Sequence, residues 1–130
     1  MASVQNTSPS FESFIKYSLN GEFDEIKKVL ADERFDINKA DYHGNTVLHH
    51  AAATDNFLLV KMLLNHGRIN INAKNPNGSI TPAMVASRNG SAKTLELLLN
   101  SGASSSFQND FGNTALMIAV NSNQIECIKV

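Results

Sequence analysis

The sequence predicts an all-α solenoid, a stack of short helix-turn-helix units joined by β-turn or hairpin-like connections. Three observations carry that prediction. Asp41, Asn75 and Asn109 are spaced by 34 residues, and each opens a near-copy of one pattern. Thr46, Thr81 and Thr114 each lie five residues before an alanine, Ala51, Ala86 and Ala119. The apolar trio Val60, Leu63, Leu64 recurs as Leu95, Leu98, Leu99 and, earlier, as Ile26, Val29, Leu30. A period in this range means small units that bury their apolar faces only by stacking.

Taken in order, residues 1–9 are polar and apolar-poor, and are expected to form a loose tail. Residues 10–130 form the repeat domain, with units at about 10–40, 41–74, 75–108 and 109–130, the last incomplete. Ser10 is placed to cap a helix from Phe11 to about Leu19, which Asn20-Gly21 stops. A second helix, about Phe23 to Ala31, carries Ile26, Val29 and Leu30 at i, i+3, i+4. Phe35-Asp36-Ile37-Asn38 then reads as a short extended return.

In the second unit Asp41-Tyr42-His43-Gly44 is a turn, with Gly44 where a positive φ is expected. Thr46 caps a compact helix through Ala53, in which Ala51 and Ala52 let neighbouring helices approach closely. The next helix, about Phe57 to Asn65, is apolar nearly all round, and Gly67 is expected to end it in a left-handed conformation. Ile69-Asn70-Ile71-Asn72 repeats the extended return. The third unit has Asn77-Gly78 in its turn, Thr81 at the cap, Pro82 at the first helical position, and a helix from about Ala92 to Asn100 ending at Gly102. The fourth has Gly112 in its turn, Thr114 at the cap, and a helix beginning near Gln124 that carries Ile125 and Ile128. The sequence stops at Val130, immediately before the positions of Leu63-Leu64 and Leu98-Leu99, which reads as a break inside a repeat whose apolar end has no polar cap.

Bulk properties narrow the function. Eleven basic and 12 acidic residues leave a net charge of −1, without the concentrated basic face that nucleic acid or a membrane surface attracts. No apolar run approaches the ~20 residues of a membrane span, and no secretory signal is visible. The single cysteine, Cys127, fits a reducing compartment, so a cytoplasmic location is expected. His43, His49, His50 and His66 lack metal-ligand spacing, and adjacent His49 and His50 point ~100° apart on a helix. Gly44, Gly78 and Gly112 are turn glycines, one per unit, and Cys127 has no nearby histidine. No active site, metal or cofactor is assigned, and the chain reads as a non-enzyme.

Gly44-Asn45-Thr46-Val47-Leu48-His49-His50-Ala51-Ala52 and Leu63-Leu64-Asn65-His66-Gly67 resemble the ankyrin repeat, whose signature is a period of 33 with Thr-Pro-Leu-His-x-Ala. The resemblance covers roughly residues 11–130. Proline appears in the tetrapeptide only as Pro82, and the histidine only as His49, with Met84 and Met117 in its place. Apolar packing is expected to replace the histidine's hydrogen bonds there. Each full unit also holds one extra residue, near Ile69 and near Ile80, where small bulges are expected.

The resemblance implies a protein-protein interaction module, gripping a partner by its turn tips and by the exposed concave face of each first helix. Carried onto this sequence, the tips are Tyr42, His43, Asn45, then Pro76, Asn77, Ser79, then Asp110, Phe111, Asn113. The helix positions are Ala53 and Thr54, Arg88 and Asn89, Asn121 and Ser122. Tyr42, Arg88 and Phe111 are the main candidates, since tyrosine and arginine are enriched in binding hot spots; the alternative is that Tyr42 and Phe111 pack across adjacent turns. Asn38 and Asn72 each follow an isoleucine and resemble sites where an asparaginyl hydroxylase modifies ankyrin repeats. The competing reading is a side-chain amide bonding local backbone. A monomer is expected, with self-association through the apolar fourth-unit end as the alternative. A regulatory or targeting segment of a longer multidomain enzyme, or a secreted microbial effector, is the competing function.

Overall fold

A computed structural model describes residues 10–130; the expected tail at 1–9 lies outside the described residues. Eight helices are present among them: α1 (Phe11–Leu19), α2 (Phe23–Ala31), α3 (Val47–Ala53), α4 (Phe57–Leu64), α5 (Pro82–Asn89), α6 (Ala92–Asn100), α7 (Ala115–Asn121) and α8 (Ile125–Ile128). They pair as α1–α2, α3–α4, α5–α6 and α7–α8, and the first helices α3, α5 and α7 stack in one layer with α4, α6 and α8 behind them. No strand occurs among the described residues, only one isolated bridge, Asn75 to Ile80.

The caps follow the sequence signals. The hydroxyls of Ser10, Thr46, Thr81 and Thr114 each accept from the backbone N–H three residues on, satisfying one otherwise orphaned donor. Such a cap contributes about 1 kcal/mol. Pro82 stands at the start of α5, where its missing N–H costs nothing. Between first and second helices the chain turns through a left-handed residue in every unit: Gly21, Asp55, Gly90 and Asn123, with φ between 53° and 74°. Aspartate and asparagine tolerate this conformation better than most side chains, so the geometry persists where glycine is absent.

The core runs the length of the stack. Phe14, Ile26, Leu48, Val60, Leu63, Ala86 and Leu98 are each wholly buried, and Phe14 stacks on Phe35 at 5.3 Å between ring centroids. Burying a leucine-sized side chain contributes roughly 1.5–3 kcal/mol, so these contacts outweigh the caps. Ala51, Ala52 and Ala119 are buried where helices approach closely. Ser87 takes the place of Ala52 in the third unit, and its buried hydroxyl finds no hydrogen-bond partner among the described residues.

Three expectations require correction. The returns are turns rather than extended segments: Lys39 N donates to Asp36 O, and Ile69 N to His66 O. Gly67 does not hold a positive φ, although Gly102 at the equivalent place does (φ 104°). After α6 the chain closes tightly, with Ala103 N bonding back to Leu98 O, and a left-handed residue is needed. After α4 the extra residue of the return is taken up by the His66–Ile69 turn, and that need disappears. Third, α4 is not covered all round, since Leu58 is 59% exposed. The other extra residue makes the expected bulge: Gly78 and Ser79 both hold positive φ inside the Asn75–Ile80 bridge.

Candidate protein interface

The tips are rigid because polar side chains tie each to the next. Asp41 anchors the first, its Oδ1 accepting from His43 N and Asn45 N, both at 2.9 Å. Its Oδ2 meets His50 Nε2 at 2.7 Å, and the Phe11 ring sits edge-on against His50. Burial raises the Asp41 carboxyl, but the hydrogen bonds from His50, Asn45 and His43 prevail and hold it below the ordinary carboxylate value. Asn109 plays the same part in the fourth unit, accepting from Phe111 N and Asn113 N. From tip to tip, Asn75 Nδ2 donates to Asn45 Oδ1 at 2.6 Å and to His43 O at 3.2 Å, while Asn77 Nδ2 also reaches His43 O. Asp110 N donates to Gly78 O, and Ser79 Oγ to Asp110 Oδ1.

Beneath the tips the helices are cross-linked too. Asn89 Nδ2 donates to Ala53 O, and Gln124 Nε2 to Arg88 O. His49 is buried and bridges units: Thr46 N donates to its Nδ1, and its Nε2 lies 2.8 Å from Ile80 O. That pattern fixes a neutral ring carrying its proton on Nε2. Met84 occupies the same place in the third unit and is 2% exposed, packing where His49 bonds; Met117, in the fourth, is 46% exposed.

The candidate residues therefore divide. Asn45, Asn77, Asn89 and Asp110 use their side chains between units, and Thr54 bonds back to His50 O. Tyr42 and Phe111 stand clear at 99% and 86% exposure, and neither packs across an adjacent turn. Tyr42 touches only the His43 ring edge-on among aromatic neighbours, above a groove of about 370 Å³ with Phe11, Phe35, Arg34 and Lys39 among its lining residues. Pro76, Arg88 and Asn121 are exposed as well. Apart from Thr54, whose bond is local, the sequence had no means of separating these two groups, because the bonds join residues 30 or more apart.

The other histidines are engaged locally or at the surface. His66 Nδ1 accepts from Arg68 N, and His43 lies at the exposed first tip. The side-chain amides of Asn38 and Asn72 do not bond their own returns, although their backbone N–H groups do, to Asp36 Oδ1 and Asn70 Oδ1. Asn38 donates to Arg68 O at 2.6 Å and accepts from Asn70 N at 2.7 Å, and Asn72 accepts from Ser104 N at 2.8 Å. These amides latch one unit to the next, which corrects the reading of a local bond. Cys127 is buried against Ala86 O, and burial pushes its thiol up.

No helix of the described residues is long and apolar enough to cross a membrane. A family model described as "Ankyrin repeats (3 copies)" matches residues 69–130, and one described as "Ankyrin repeat" matches residues 43–76. The interferon antagonist OPG040 of vaccinia virus (strain Western Reserve) is 36% identical over 106 residues, covering 82% of this chain and 35% of the relative. Interferon antagonist OPG039 of monkeypox virus matches with the same identity and coverage. The E3 ubiquitin-protein ligase KEG of Arabidopsis thaliana is 39% identical over 77 residues, covering 59% of this chain and 5% of the relative. The chain thus spans about a third of the length of the two viral relatives. With repeat models matched from residue 43 to residue 130 on a stack of helix pairs, the chain belongs to the ankyrin-repeat family.

Proposed function

We propose that this chain is a non-catalytic recognition module that grips a partner protein through its tips and concave first-helix face, with Tyr42, Arg88 and Phe111 as the main contacts. The observation that carries this is the exposure of two aromatic rings, 99% and 86%, on tips whose neighbouring side chains are held by hydrogen bonds. A rigid base under an exposed ring loses little conformational freedom on binding, which favours affinity. Arg88 adds a cation on the exposed side of α5 whose side chain has no partner among the described residues. His43, Pro76 and Asn121 form the rest of the contact surface. Affinity capture comparing the wild type with Tyr42→Ala, Arg88→Ala and Phe111→Ala tests the reading; equal capture by all four proteins sinks it.

A second reading has this module serving as the recognition or targeting segment of a longer protein, including one that acts on a host cell. It is favoured by the low coverage of the relatives, whose names include two interferon antagonists and a ubiquitin ligase. Reading the native frame past Val130 tests it, and an immediate stop codon counts against it. A cytoplasmic site of action accords with the single buried thiol of Cys127, and fractionation of the host cell checks it. Hydroxylation at Asn38 or Asn72 is read by intact mass on protein from its host; no added oxygen removes it.

A further inference from the structure

Asparagine is followed by glycine three times, at Asn20-Gly21, Asn77-Gly78 and Asn89-Gly90. This dipeptide is chemically weak, because glycine has no side chain to keep its backbone nitrogen away from the asparagine side-chain carbon. The stack places the three steps in different surroundings. Gly21 N donates to Ser18 O at 3.3 Å, and Asn20 keeps helical angles at the end of α1 (φ −89°, ψ −2°). Gly90 N donates to Ala86 O and Ser87 O where it caps α5, and Asn89 is the last residue of that helix. Attack by either nitrogen requires a helix end to open first. Gly78 differs. Its N–H donates to no group among the described residues, and it lies in the loop closed by the Asn75–Ile80 bridge. Asn77 is exposed, so water reaches its side chain.

We infer that Asn77 is a built-in deamidation site whose product loosens the junction between the second and third tips. Gly78 N gives its proton to hydroxide, and its electron pair attacks Asn77 Cγ. The bond between Gly78 N and Cγ forms, the Cγ–Nδ2 bond breaks, and Nδ2 leaves as ammonia. A five-membered succinimide remains, and water opens it. Attack at Cγ gives aspartate on the original backbone. Attack at the backbone carbonyl carbon gives isoaspartate, with the chain rerouted through the side-chain carbon. One water enters and one ammonia leaves, with no oxidation or reduction. Either product replaces the Nδ2 donor that reaches His43 O at 3.3 Å by a carboxylate, which accepts only and repels that carbonyl. The isoaspartyl form also inserts one backbone carbon inside the Asn75–Ile80 bridge, whose two bonds measure 2.7 and 3.3 Å. The reaction needs only water and hydroxide, so it and the partner reading stand or fall separately.

Incubation of the 130-residue chain at mildly alkaline pH, followed by peptide mapping in a mass spectrometer, tests it. Each event exchanges the mass of NH for that of oxygen. In the folded chain Asn77 is expected to convert at least about fivefold faster than Asn20 or Asn89, each of which must first release its glycine N–H. In urea, where the helix ends are lost, the three rates should draw level. Asn77→Ser should remove the fast site and leave the two slow ones. The purified isoaspartyl product should show faster amide hydrogen exchange at Asn75 and Ile80 than the unmodified chain, with helix content by circular dichroism unchanged. Conversion at Asn77 no faster than at the other two in the folded chain, the same spread of rates persisting in urea, or unchanged exchange at Asn75 and Ile80 overturns the proposal.

Discussion

His49 of the second unit reaches Ile80 of the third, its Nε2 2.8 Å from the carbonyl oxygen, while its Nδ1 accepts from Thr46 N at 3.1 Å. One buried ring thus closes a helix cap and joins two units. Burial pushes its pKa below the usual 6.5; the bond to Ile80 opposes this, nearby His50 lowers the value further and Asp41 raises it. The unfolded chain takes up a proton near pH 6.5 where the folded chain resists it. Stability from this site is complete above that pH and is lost as pH falls below it, at no more than about 1.4 kcal/mol per pH unit. His49→Met, copying Met84, should lower stability at pH 7 by about 1–3 kcal/mol, since it leaves Thr46 N unpaired and removes one of the two donors to Ile80 O, which keeps its bond from Asn75 N. It should also flatten the decline between pH 7 and pH 5. Urea unfolding at the two pH values measures both; a decline in the variant as steep as the wild type's refutes the assignment.

At Asp41 the turn and the ion pair are separable. Asn109 makes the same two turn bonds with an amide oxygen, so Asp41→Asn should keep the tip and cost under about 1 kcal/mol. Asp41→Ala loses the bonds from His43 N, Asn45 N and His50 together and should cost about 1–3 kcal/mol. Because the folded carboxyl sits below its ordinary value, the aspartate's own contribution fades as pH falls through that depressed value, and Asp41→Asn should lack this acid limb. Equal melting temperatures for the two variants at pH 7 contradict this account.

Glycine substitutions should rank by geometry. A Cβ on Gly44 would lie 2.9 Å from Asn75 Oδ1 and 3.0 Å from Pro76 Cδ, at a φ of +86°. Gly112, at +80°, has open space around it, so Gly112→Ala carries only the left-handed strain of about 1–2 kcal/mol. Gly44→Ala should cost more than that. Gly67, with no positive φ and nothing within 4 Å, should accept alanine at no cost or with a gain of about 0.4–1 kcal/mol. Chemical denaturation of the three variants gives the order.

Ser87 carries a buried hydroxyl without a partner at a position where the second unit has Ala52. Ser87→Ala should therefore stabilise the fold by about 1 kcal/mol. A loss of stability on that change means the hydroxyl is satisfied in solution.

Much of the stack was legible from local signals. The bounds of α1, α2 and α6 follow from Ser10, the Ile26-Val29-Leu30 spacing and Gly102, because a cap, an apolar stripe and a stop all act within a few residues. The left-handed Asp55 and Asn123 were not legible, since only comparison with Gly21 and Gly90 in the folded chain reveals the shared turn. Gly67 was misread for a related reason: the extra residue in its return changed which bonds close the helix end.

The sequence by itself determined the period, the eight helices of the described residues and the caps, because all of these depend on side chains close together in the chain. Only the tertiary structure decided what the polar side chains do. Asn38, Asn45, Asn77 and Asp110 bond to groups about 30 residues away, so whether each is a latch between units or a free contact depends on how the units stack. The same stacking left Tyr42, Arg88 and Phe111 outside the latches.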